Sequence, residues 1–213
     1  MFKTAFISAV MALAAWAASS WLTHDYQVWT AEGARRLEVA LNPVASPAVM
    51  LDGPGLRPQL LSHYLADGKS ITLLDFVYTR CQTVCLSLGS VYQQMQAQLQ
   101  QASLNSGQDQ HVKLLSISFD GEHDNPKILK AYAARMNAET SLWRFARVAN
   151  ALENQRLLDA FEVVVVADDR GEFEHNAALL LIDEKGNLMR IFDYAEQQLA
   201  LDYARYLAAR ITP

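Results

Sequence analysis

The segment "SITLLDFVYTRCQTVCLSLGS", residues 70–90, constrains the fold more than any other part of the chain. Its first half is rich in apolar and β-favouring residues and reads as a buried strand. Within a few residues the pattern becomes helical, from about Val84 to Leu104. Both cysteines of the chain, Cys81 and Cys85, lie at that junction. A strand covered on both faces that passes directly into a helix implies a sheet with helices packed on it.

The segments that follow extend this pattern. "HVKLLSISFD" reads as a second buried strand, and "NPKILKAYAARMNA" as a second helix with Asn125 as N-cap and Pro126 at its first position. After "LWRFARVA", a short helix "ALENQRLLDAF" and the run "EVVVVA", two strands, "AALLLID" and "LMRIFDY", flank Glu184-Lys185-Gly186-Asn187, where glycine and asparagine suit a hairpin turn. A helix from about Ala195 to Arg210 ends the pattern. A βαβα half followed by a hairpin and a terminal helix predicts an α/β thioredoxin-like fold, with a mixed central sheet flanked by helices.

Ahead of this domain, Lys3 precedes an uncharged stretch from Thr4 to Thr23, closed by His24 and Asp25. A membrane span needs roughly 17–25 apolar residues and a signal peptide roughly 7–15, so the length suits either. Ala15-Trp16-Ala17 is a weak cleavage site, whereas Trp21 and Trp29 stand where an aromatic belt would lie. An uncleaved anchor is the favoured expectation, with the domain on the far side of a bacterial inner membrane, in the periplasm. Residues 1–24 are therefore assigned to the anchor or signal segment. Residues 25–58 are read as a linker with a short helix, because "LNPVASPAVMLDGPGLRP" holds four of the six prolines, and 59–213 as the folded domain.

The formal net charge is −5, and the basic residues are scattered. That distribution argues against a nucleic-acid partner.

The cysteines stand four residues apart, so on a helix both fall on one face. The first helical turn offers free N–H groups and the positive end of the dipole, which favour thiolate over thiol. A thiolate either binds metal or attacks a disulfide, so two functions remain open here. A static disulfide is a third reading, although a bridge closing so short a loop stabilises weakly.

With its motifs in order, the chain resembles the Sco/SenC proteins, named for synthesis of cytochrome c oxidase. The resemblance rests on "DFVYTRCQTVC", "SISFDGEHDNPKILKAY" and "EHNAALLLID", and spans roughly Leu60 to Leu207. Gln82 and Leu86 replace the prolines that usually follow the cysteines, and Ser-Phe-Asp-Gly stands where Val-Asp-Pro is common. The resemblance implies copper held by Cys81, Cys85 and His175. Two soft thiolates and an imidazole suit Cu(I), and with an added weak ligand also Cu(II). In thioredoxin-like oxidoreductases the loop facing the cysteines usually carries a cis-proline; here no proline occurs between Pro126 and Pro213, and Glu174-His175-Asn176 is the matching loop.

Asp120, at the end of the second buried strand, is expected either to orient a ligand or to cap a turn. No role is assigned to His24, His63, His111 or His123, and Phe76, Tyr78, Trp143 and Phe145 are read as core. The implied function is a membrane-tethered copper chaperone. It would serve the copper-receiving subunit of cytochrome c oxidase, at its dinuclear copper centre, or another periplasmic copper protein. The competing reading is a thiol–disulfide oxidoreductase with Cys81 attacking and Cys85 resolving.

Overall fold

The computed structural model describes residues 2–80, 84–106, 111–167, 173–176 and 178–211, in two compact units, 1–41 and 42–213. The first unit holds α1 (Phe2–Leu22) and α2 (Ala31–Leu41). Residues Lys3–Leu22 of α1 are long and apolar enough to cross a membrane, with a mean hydropathy of 1.6 and no part of that window buried. α2 is short and amphipathic, and Glu32 in its first turn pairs with Arg35 and Arg36.

The second unit opens with β1 (Val44–Ala45), β2 (Met50–Gly53), β3 (Leu56–Leu60) and the one-turn helix α3 (Leu61–Leu65). These strands correct the linker reading of residues 42–58. β1 pairs with the strand at one side of the sheet, and the β2–β3 hairpin extends the other side. Prolines are compatible with this because none sits inside a central strand. Pro43 precedes β1, Pro54 sits in the hairpin turn beside Gly55 (φ +68°), and Pro58 is on the outermost strand. Val49 and Leu51 are buried in the core. Gly53 is required by close approach, since a Cβ there would lie 2.5 Å from the Phe145 carbonyl oxygen.

The centre follows the predicted order: β4 (Ile71–Val77), α4 (Val84–Ser106), β5 (Val112–Ser118), α5 (Pro126–Arg135), β6 (Trp143–Val148) and α6 (Ala151–Ala160). β4, β5 and β6 are parallel, and every residue of β4 is buried, so the apolar run reflects burial on both faces. The Asn125 side chain accepts the N–H groups of Lys127 and Ile128, as its N-cap reading requires. β7 (Val165–Ala167) and β8 (Phe173–His175) form a separate two-stranded ribbon. β9 (Leu179–Ile182) and β10 (Asn187–Phe192) form the predicted hairpin, with Gly186 at φ +81°, and α7 (Gln197–Ala208) follows a 3-10 turn.

The eight-stranded sheet runs β1-β10-β9-β4-β5-β6-β2-β3. Tyr92 of α4 and Tyr132 of α5 stack on neighbouring rings of β6, Trp143 and Phe145, so both helices cover one face, with α7 packed beside α4. On the other face Phe161, at the end of α6, meets Phe76 of β4 edge to face. This is the mixed, helix-flanked sheet of a thioredoxin-like fold.

Candidate metal centre

Cys81 lies outside the described residues, and of Cys85 and His175 only the backbone is described. Cys85 is the second residue of α4, in the turn whose N–H groups have no intrahelical acceptor. His175 is the last residue of β8, opposite Val165. The segments that carry these residues are joined through their neighbours.

Tyr78, three residues before Cys81, accepts the N–H of Phe173 at 3.2 Å and donates to the Phe173 carbonyl at 3.4 Å. Phe173 is two residues before His175. Three rings close around this contact: Tyr78 and Phe119 with centroids 5.2 Å apart, Tyr78 and Phe173 at 5.2 Å, and Phe119 and Phe173 at 5.5 Å. The segments after β4, after β5 and along β8 therefore meet in one aromatic cluster. Along the chain Cys81 follows Tyr78 by three residues and His175 follows Phe173 by two. Sequence reasoning assigned Tyr78 to the core, and it is buried, but its hydroxyl makes it a connector.

A second fastening holds the turn that leads to Cys81. Asp124 is fully buried and accepts from Thr79 N–H at 2.9 Å, Thr79 Oγ1 at 2.5 Å and Ser118 Oγ at 2.6 Å. His123 Nδ1 lies 2.8 Å from Asp124 Oδ1, the oxygen that also accepts from Thr79 Oγ1, so a histidine without an expected role joins the network. The Asn125 cap is legible locally from the proline that follows it, whereas the role of Asp124 depends on Thr79, 45 residues away.

Asp120 takes the Arg80 guanidinium at 2.7 Å, so it touches the cysteine-bearing turn through the residue just before Cys81. Ligand atoms of Asp120, His123 and Asp124 lie within 4.8 Å of one another. The Asp124 oxygens are already occupied by protein donors, so hydrogen bonding accounts for this cluster without a cation.

Comparison with known proteins agrees with this architecture. The chain is 25% identical over 142 residues to the SCO1 protein homolog of Bacillus subtilis (strain 168), covering 61% of this chain and 70% of that protein. Among solved structures it is similar to BsSco, a member of the Sco family of cytochrome c oxidase assembly proteins, with a TM-score of 0.65 and 20% identity over 79% of this chain and 95% of that one. It is also similar to yeast Sco1 with copper bound, with a TM-score of 0.62 and 15% identity over 80% and 92% of the two chains. The family model described as SCO1/SenC matches residues 63–208, well over half of the sequence, and the chain belongs to that family.

Proposed function

We propose that this protein is a membrane-tethered copper chaperone that holds copper through Cys81, Cys85 and His175 and delivers it to the copper-receiving subunit of cytochrome c oxidase, at the dinuclear copper centre. The carrying observation is the Tyr78–Phe173 contact, which ties the segment leading to the cysteines to the strand ending in the histidine. Further support is the copper in yeast Sco1 and the family of oxidase assembly proteins to which BsSco belongs.

The donor chemistry fits the cargo. Two thiolates and one imidazole supply soft and borderline ligands, which select Cu(I), and Cu(II) is accommodated when a weak ligand is added. The first turn of α4 favours the thiolate at Cys85. Release proceeds by ligand exchange: a client thiolate replaces the imidazole, a second replaces one cysteine, and the last protein–copper bond breaks. α1 spans the inner membrane with the folded unit in the periplasm, and co-residence in one membrane raises the effective concentration of client and donor.

The test is a competition titration of Cu(I) into the full-length reduced chain in detergent, beside His175→Ala and Cys81→Ser. One copper bound tightly, and weakened in both variants, supports the three-ligand site; equal affinity in all three proteins rejects it.

A further inference from the structure

α7 carries an exposed stripe. The helix buries Ala200, Leu201, Ala204 and Ala208 against the sheet. Leu199, Tyr203 and Tyr206 follow one another at spacings of four and three, so they form one rank on another side of the helix, and Arg210 continues it in the closing turn. Leu199 is 56% exposed and Tyr206 54%, and Arg210 is exposed beyond them. An apolar residue, two phenols and a cation in line have the composition of a side that meets an interface, with apolar bodies and polar tips.

A second cation joins the stripe from the sheet. Arg190 of β10 lies over the Tyr203 ring, its guanidinium carbon 5.1 Å from the centroid; Arg210 lies over Tyr206 at 5.2 Å and donates to its hydroxyl. The two rings are 6.0 Å apart, and Phe192 of β10 backs Tyr203 at 6.2 Å. Aromatic faces thus hold both guanidiniums and leave most of their donors available for an anion. Among the described residues neither has a carboxylate partner. The acids nearby are engaged elsewhere: Asp202 pairs with Arg205 at 3.5 Å and accepts from Gln198, while Asp193 and Glu196 form the capping box of the 3-10 turn.

Connectivity points to the occupant. Only Asn42 and Pro43 separate α2 from β1, and β1 pairs with β10, Val44 lying opposite Leu188, two residues before Arg190. The chain from the apolar helix α1 therefore joins the folded unit on the strand next to the one that carries Arg190. A unit tethered in this way stays at high effective concentration near the bilayer, where even a weak surface contact is populated. We propose that Leu199, Tyr203, Tyr206, Arg190 and Arg210 form a face that rests on the membrane, with the two guanidiniums bound to the phosphates of anionic phospholipids. The inference rests on reading α1 as a membrane anchor.

The chemistry of the face matches a headgroup layer. A phosphodiester accepts two parallel N–H bonds from a guanidinium, and one already stacked on a ring loses little further freedom in making them. Tyrosine sits at headgroup depth with its ring toward the acyl chains and its hydroxyl toward water. Leu199 adds apolar area at one end of the stripe. Held on this face, the folded unit keeps one side toward the bilayer and does not tumble freely on its tether. The loops after β4 and β5 are then presented to a membrane-embedded client in one orientation.

The experiment uses the full-length chain reconstituted into vesicles of phosphatidylcholine, alone or with about one third phosphatidylglycerol, and hydroxyl-radical footprinting read residue by residue by mass spectrometry. Leu152 of α6, 73% exposed, is the internal reference. Oxidation of Leu199 and Tyr206 relative to Leu152 is expected to fall about three-fold or more when phosphatidylglycerol is present, and to recover in 1 M NaCl, where screening acts within about 3 Å. In the double variant Arg190→Gln/Arg210→Gln it should be equal in both kinds of vesicle. Equal oxidation in the parent, in a chain that floats with phosphatidylcholine vesicles after an alkaline wash, overturns the membrane contact and leaves the anchor standing. Protection that appears in phosphatidylcholine alone and grows with protein density makes a second copy the occupant and overturns the lipid contact as well. A chain that fails to float with phosphatidylcholine vesicles overturns the anchor and the contact together.

Discussion

Through a single phenol oxygen, Tyr78 engages both backbone polar groups of Phe173, 95 residues away along the chain. Tyr78→Phe keeps the ring in its aromatic cluster and removes only the two hydrogen bonds. The expected cost is about 1 kcal/mol of stability, because net hydrogen-bond contributions are of that size. Cu(I) affinity should fall more steeply, by about ten-fold on that same per-bond scale, since the variant releases the strand that carries His175. Denaturant melts and Cu(I) competition separate the two effects; equal affinity in parent and variant would remove Tyr78 from the site.

Asp124→Ala is expected to be among the most damaging single changes. It strands the Thr79 N–H and the hydroxyls of Thr79 and Ser118 beside a buried space. Each stranded donor costs about 1–3 kcal/mol, so an overall loss on the order of 3–5 kcal/mol is expected in urea unfolding. Asp124→Asn retains one acceptor oxygen and should lose less.

The pH dependence of stability carries the signature of Asp75, which is 1% exposed within β4. Burial raises its carboxyl from 3.8 when unfolded to about 7 when folded, so the folded state binds the extra proton between these values. Its contribution is therefore full below about pH 3.8, declines as pH rises toward 7, and is flat above. About three pKa units correspond to on the order of 4 kcal/mol across that window. Asp75→Asn removes this slope, so the variant should gain on the parent progressively from pH 4.5 to 7.5 in parallel denaturant titrations. A constant difference between the two proteins would show that the acid does not titrate there.

Gly53→Ala tests whether residues 42–58 belong to the folded unit. A methyl group 2.5 Å from the Phe145 carbonyl oxygen must push β2 away from β6. Thermal unfolding should show a destabilisation of about 2 kcal/mol or more, of the kind that backbone clashes produce. A tether outside the sheet would show none.

The sequence carried the central architecture clearly because strand burial and helix period leave local marks. The β4–α4 junction, the Asn125 cap and the β9–β10 turn each depend on residues within a few positions of one another. The proline-rich stretch misled because proline density resembles that of a linker, and only pairing with β6 and β10 reveals three strands there. The partner of the Tyr78 hydroxyl was likewise beyond local reading. Asp75 stood in plain view within an apolar run, but its burial depends on the strands and helices around β4. The ligand set came from motif order and resemblance, with helix polarity favouring the thiolate.

The two margins of the sheet limit how another molecule can approach it. One ends in β1, two residues long, and the other in β3, where Pro58 lacks a donor and Arg57 is exposed. Neither margin offers a long row of free backbone groups for an incoming strand. At these two margins another molecule is met by side chains and loops more readily than by an added strand, and copies of the chain gain little by pairing there. The copper delivery proposed above requires a partner to be met and released, and margins that another strand cannot easily extend suit it.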